Sequence, residues 1–267
     1  MNTNLQGLLP AVVELSRQAG REILAVYNSD FEVQQKADHS PLTLADLRAH
    51  TLIVAGLRTL TPEIPVLSEE ASDMDFATRS TWRCHWLVDP LDGTREFVSR
   101  NGEFTVNIAL IEDHVPVLGV VHVPTTDVTF SGTAAGGAFR QEGGGSPLPI
   151  RTCRPAAQPL RVVSSRSHGS DTPDRYSQVL GPYTVVKVGS SLKFCILAEG
   201  AADLYPRFGP TSEWDTAAGQ AVLEAAGGFV SDLSGRPLRY NTRAEILNPH
   251  FIAYADDARN WCELLGR

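Results

Sequence analysis

At 267 residues, 42 % hydrophobic and 20 % charged, the chain has the composition of an ordinary globular protein with ample core, not of a disordered or fibrous one. A net charge of −8 argues against extended nucleic-acid binding, which needs surplus Lys and Arg, yet leaves room for a small phosphorylated ligand where local charge offsets the global sign. The four cysteines (Cys84, Cys153, Cys195, Cys262) form no CxxC pair, so zinc and a disulfide framework are not expected, and a reducing compartment suits them.

No apolar run approaches the roughly 20 residues of a membrane span. The first twenty residues, without a basic lead or a clean apolar block, are not expected to be a secretory signal. In chain order, AVVELSRQAGREILAVY after Pro10 carries apolar residues at helical spacing. A second helix is expected from about Leu44 to Leu60, with Thr43 as its cap and Asp46 three residues on, as in a capping box. IPVLS (64–68) and WRCHWLVD (82–89) read as strands that lead into acidic turns. FTVNIALI (104–111) and VPVLGVVHV (115–123) read as an antiparallel hairpin, continued by TFSG and GGAFR.

The Gly- and Pro-rich stretch 140–159 is the boundary candidate, dividing an α+β part over 1–150 from an α/β part over 151–267. Beyond it come a strand at LRVVSS, a helix near 173–180, a strand at YTVVKVG, a helix around SSLKFCILAEG and a strand at ADLYPR. A helix at TAAGQAVLEAAGG, with Asp215 as the residue that opens it, a strand at FIAYA and a helix near ARNWCELL close the chain. Helices and strands mix in both parts, which gives the α+β class.

Acidic residues stand where regular structure begins or ends: Asp46, Glu69-Glu70, Asp89 and Asp92 in DPLDG, and Asp215. Each has an ordinary structural use taken singly. Asp46 and Asp215 suit helix caps, Glu69-Glu70 a solvated pair, and DPLDG a turn. Together they ask for a cation, because like charges brought close and out of water repel. Oxygen donors select magnesium, manganese or calcium over zinc. Two such ions about 3.5–4 Å apart would clamp a phosphate and activate a water. No P-loop, GxGxxG, GxSxG or HExxH motif is present, and DxxDG fails the calcium-loop pattern.

Asp46, Glu69-Glu70, DPLDGT (89–94) and WDTAA (214–218), in this order, resemble the signature of the lithium-sensitive, magnesium-dependent phosphatases that include the inositol monophosphatases. KADHSPLTLAD (36–46), DGTREF, SRSH (165–168), GSSLKF and LYPRFGPTSEWDTAAG are most similar to the CysQ-type 3′(2′),5′-bisphosphate nucleotidases of that superfamily. Inositol monophosphatases typically read DGTTNF where this chain has DGTREF. Arg95 stands where the nucleotidases usually have lysine, with the charge kept.

The resemblance implies a layered αβαβα sugar-phosphatase fold with the site between two subdomains. It implies two magnesium ions and a weaker third. Glu69, Asp89 and the Leu91 carbonyl would hold the first ion, Asp89, Asp92 and Asp215 the second, and Glu69 would help with the third. Thr94, aided by Asp46, would orient the attacking water, and Gly93 and Thr94 N–H groups would receive phosphate oxygens. His168, Ser190, Lys193 and Arg207 would contact the nucleotide. The implied reaction is hydrolysis of adenosine 3′,5′-bisphosphate to AMP and phosphate, extended to the 3′-phosphorylated adenylyl sulfate, which ties the chain to sulfur assimilation. The alternative is an inositol monophosphatase-type activity on other small phosphate monoesters. A cytoplasmic location is implied, and the resemblance leaves open peripheral association with the inner membrane and a monomer or homodimer.

Overall fold

The computed structural model describes residues 5–35, 41–166 and 178–266. Helix α1 (Leu5–Tyr27) begins before Pro10, not after it as the proline suggests. Pro10 lacks an N–H to donate to the Gln6 carbonyl, so the first turns lack one intrahelical bond. Leu5, Leu8 and Leu9 pack against the core and draw this extra turn in. A short antiparallel pair, β1 (Val33–Gln35) and β2 (Pro41–Thr43), precedes α2 (Leu44–Leu60) and was not foreseen. The expected capping box is formed: Thr43 Oγ1 accepts from Ala45 N at 3.2 Å, and Asp46 Oδ2 accepts from Thr43 N at 2.7 Å.

A seven-stranded sheet follows. Its strands are β3 (Val66–Ser68), β4 (Cys84–Asp92), β5 (Thr105–Glu112), β6 (Val115–Val123), β7 (Val128–Thr133), β8 (Gly137–Glu142) and β9 (Leu148–Ile150), in that spatial order. Only the β3–β4 pairing is parallel. Two short helices interrupt it, α3 (Phe76–Arg79) and α4 (Thr94–Val98). The later part of the chain contributes β10 (Leu160–Ser165), β11 (Tyr183–Val188), α5 (Leu192–Ala198), β12 (Leu204–Arg207), α6 (Glu213–Ala225), β13 (Phe229–Asp232), β14 (Phe251–Tyr254) and α7 (Trp261–Leu265). Its five strands are ordered β11-β10-β12-β14-β13. Of the helix expected over 173–180, residues 173–177 lie outside the described residues, and 178–180 are helical.

Stacking these elements gives five layers, α-β-α-β-α. α1 and α2 cover one face of the large sheet through Val12, Ala19, Ile53 and Leu57. α5 and α6 fill the space between the two sheets. Trp261 and Leu265 of α7 close the outer face of the small one. The middle layer is thin. A Cβ on Gly119 of β6 would collide with the Ala218 carbonyl of α6, so glycine lets helix backbone rest on strand. No helix among the described residues is long and apolar enough to cross a membrane.

Two buried histidines predict the acid limit of this fold. Burial holds the imidazoles of His85 and His122 down to about 4. His85 is 1 % exposed and neither ring nitrogen has a hydrogen-bond partner among the described residues. Because the folded value lies below the unfolded value of about 6.5, each histidine's contribution is complete above pH ~6.5. It is lost as the pH falls through the folded value, by about 3 kcal/mol per group at pH ~4. Urea unfolding of His85→Phe should therefore show a smaller stability difference between pH 7 and pH 4 than wild type, by about that amount. An unchanged pH dependence would contradict the assignment.

Candidate active site

The strand β4 does not stop at Asp89. It runs on to Asp92, against the expectation of a turn at DPLDG. Asp89 pairs with Asn107 and Asp92 with Thr105, so three steps on β4 match two on β5: one residue is bulged out. In a regular strand residues three apart face opposite sides. The bulge cancels that alternation and turns both carboxylates to the face covered by α6. Asp89 Oδ1 accepts from Leu91 N at 3.0 Å, and Thr94 Oγ1 donates to Leu91 O at 3.3 Å. Gly93, at φ +90°, makes the left-handed step from strand to α4, and a side chain there would press on Glu103 O and Ser190.

Asp215 arrives from the other side. It does not cap α6, as its place in the sequence suggests; Ser212 does, and Asp215 is three residues into the capping box. Its Oδ2 accepts from Ser212 N at 2.8 Å. The position sets the carboxylate inside the helix mouth, aimed back at the cavity. Glu69 follows the end of β3 and donates its N–H to Val88 O at 3.0 Å, which keeps it beside β4.

Glu69, Asp92, Gly93, Thr94, Ser190, Lys193, Arg207 and Asp215 line one cavity of about 330 Å³. Asp89 and Leu91 are buried beneath it, and Asp46 is buried at the start of α2, its carboxylate also accepting from Thr43 Oγ1 at 2.7 Å. His168 lies outside the described residues. The turn before α5 is tied to the acids: Ser191 N donates to Asp92 Oδ2 at 2.5 Å, and Ser191 Oγ donates to Asn107 Oδ1 at 2.7 Å. Lys193 Nζ donates to Ser190 O at 2.7 Å and lies over the Tyr205 ring. Arg207 donates to Pro210 O at 3.0 Å. Ser190, at φ +47°, has a buried Oγ with no partner among the described residues.

The acids hold their protons more tightly than ordinary carboxylates. Burial lifts Asp89 well above its usual value, with repulsion from Glu69, Asp92 and Asp215 adding to it. Asp215 is raised well above its usual value by burial, then by Asp92 and Glu69. Asp92 is raised to about 6 by burial, held back by Lys193 and the Ser191 N–H. Among the described residues no group of three or more His, Cys, Asp or Glu side chains is arranged to hold a metal ion as it stands. Asp89 and Asp215 nonetheless each feel the charges of Glu69 and Asp92. Four carboxylates, one main-chain carbonyl and no soft donor fit a hard dication such as magnesium, whose charge would relieve the repulsion.

Three groups in and around the cavity were not foreseen. Glu96 of α4 lines it and is buried. Glu213, beside Asp215, accepts from Asn241 N through both oxygens and is raised to about 7, chiefly by burial. Arg79 is 3 % exposed and bonds to Asn241 Oδ1 at 2.6 Å and to the Arg243 and Ala244 carbonyls. DGTREF and SEWD contain the two glutamates, but nothing local marks either as buried.

A model of the inositol monophosphatase family matches residues 4–262. The chain is 53 % identical, over 91 % of its length and 98 % of the relative's, to the 3′(2′),5′-bisphosphate nucleotidase CysQ of Escherichia coli O6:H1. Among solved structures it is similar to CysQ from Bacteroides thetaiotaomicron, at 40 % identity and TM-score 0.79, covering 95 % of this chain and 99 % of that one. It is also similar to an inositol monophosphatase from Anabaena, at 27 % identity and TM-score 0.75, covering 99 % and 97 %.

Proposed function

Since the chain belongs to the inositol monophosphatase family, we propose that its cavity removes the 3′-phosphate of adenosine 3′,5′-bisphosphate, giving AMP and phosphate. The observation that carries this reading is one cavity lined by acids and cations together. Glu69, Asp92 and Asp215 line it, and so do Lys193 and Arg207. A ligand with two phosphates satisfies both, one through metal and one through the cations. An inositol monophosphate would leave the second set without an anion. The high identity to curated 3′(2′),5′-bisphosphate nucleotidases supports the same substrate.

Glu69, Asp89, Asp92, Asp215 and the Leu91 carbonyl are the groups that would hold two magnesium ions, with Glu69 shared by a weaker third. Bound there, magnesium neutralises phosphoryl charge and lowers the pKa of a water. Thr94, at the cavity wall, orients the attacking water, and Asp46 supports it. Thr94 and Asp46 together activate that water, with its proton passing toward the Asp46 carboxylate. A hydroxyl alone is a poor base, so this division of labour is chemically needed. Gly93 and Thr94 N–H groups receive phosphate oxygens, and Ser190 Oγ, buried and without a partner among the described residues, donates to the ligand. The departing 3′-oxygen takes its proton from water, and no covalent intermediate is required. Residues 1–150 supply most of the metal ligands, while 151–267 supply Asp215 and the nucleotide contacts. The sulfated nucleotide fits the same arrangement.

Phosphate release with magnesium should be fast on adenosine 3′,5′-bisphosphate, slow on inositol 1-phosphate, and suppressed by lithium. Preference for the inositol ester would keep the site and overturn the substrate.

A further inference from the structure

Beyond the phosphate groups, the cavity has an apolar rim that the reaction does not use. Leu247 lines it while 49 % exposed, and Pro210 and Trp214, the latter 7 % exposed, line it too. A single exposed leucine is ordinary on a protein surface. This one is unusual because its backbone is pinned on every side. Leu247 pairs with Ser212 across an isolated bridge. Glu213 N donates to Ile246 O at 2.9 Å, and Asn248 N donates to Thr211 O at 2.8 Å. Arg243 Nη2 reaches the Leu247 carbonyl at 2.6 Å, and Asn248 Nδ2 donates to Ser212 O at 2.7 Å. Arg79 fixes the start of the same segment through the Arg243 and Ala244 carbonyls.

The segment thus holds an isobutyl group at the cavity mouth, although nothing in the fold needs it there. Resting on the nucleotide reading above, we propose that Leu247 is a specificity-determining residue: with Pro210 and Trp214 it forms the platform for the purine base. The phosphates are drawn to Lys193 and Arg207 and, through metal, to the acids. The base, flat and weakly polar, is left to the apolar rim. Covering the exposed half of a leucine removes apolar area from water only when a base is present, so the platform favours nucleotides over base-less sugar phosphates.

The test is calorimetric, on the full chain with magnesium, using the product AMP and its base-less counterpart ribose 5-phosphate. Wild type should bind AMP more tightly by about tenfold, or about 1.4 kcal/mol. In Leu247→Asp that ratio should fall close to one, with Leu247→Ala between. A wild-type preference that both variants retain overturns the inference alone. A wild type that does not distinguish the two ligands overturns the nucleotide reading and the inference with it. An unchanged melting temperature in Leu247→Ala shows that its result is not one of misfolding.

Discussion

Asp89→Asn lowers magnesium-dependent phosphate release by about a thousandfold or more, while the metal-free variant unfolds at a higher temperature than metal-free wild type. The two halves of this result have one cause. Asp89 is buried, and its folded pKa lies well above the usual value because of burial and the neighbouring Glu69, Asp92 and Asp215. A carboxyl raised in this way destabilises the fold as its charge is forced on it. The penalty is absent at acid pH, begins above the unfolded value of about 4, and is complete once the pH passes the folded value. Asparagine keeps an oxygen to accept from Leu91 N, so the bulge survives. It carries no charge to repel its neighbours, which returns about 1–3 kcal/mol to the metal-free fold at pH ~7.5. It also removes the carboxylate that, on the proposed assignment, both magnesium ions would share. Differential scanning calorimetry with and without magnesium, beside phosphate release, reads both halves. Near wild-type turnover in the variant would sink the metal assignment.

Arg79→Ala should cost about 3 kcal/mol of stability, because it strips one buried hub of its donor. The guanidinium satisfies Asn241 Oδ1 and two carbonyls, and Asn241 Nδ2 returns a bond to Arg79 O at 2.6 Å. Removing it leaves the buried Asn241 Oδ1 and two part-buried carbonyls without their donor. Glu213, already raised to about 7 and eased by the Arg79 charge, loses that relief as well. Lysine should not rescue, since one ammonium cannot span three acceptors as a planar fork does. Urea denaturation measures the loss, and a change below about 1 kcal/mol would show that the hub is dispensable.

The contrast between these two residues shows what could be read in the sequence. The capping box of Thr43 and Asp46 was legible because both ends of the signal lie within one helical turn. The hairpin of β5 and β6 was legible from two apolar runs around a short polar turn. DPLDG was not, since proline, aspartate and glycine mark a turn, whereas the strand continues because β5 offers a partner on the far side of the bulge. Asp215 was singled out as the acid of its helix but placed at its opening, because the helix was read from Thr216 whereas it starts at Glu213, which makes Ser212 the cap. The acids were legible as a set through resemblance, which carries order along the chain that periodicity lacks. Arg79 gave no sign, as its partner Asn241 is 162 residues away. Leu247 gave none either: an isolated leucine in a loop becomes informative only when its backbone is seen to be fixed.

Magnesium titrated calorimetrically into the metal-free wild-type protein at neutral pH tests the central claim most directly. Burial and mutual repulsion favour the protonated forms of Asp89, Asp92 and Asp215, and a bound cation favours the charged forms instead. The account therefore predicts saturable binding, proton release that makes the observed heat depend on the buffer, and a melting temperature that climbs with magnesium. No saturable binding and no change in melting temperature at concentrations on the order of 10 mM would contradict it, because Glu69, Asp92 and Asp215 would then line one cavity with no cation to join them.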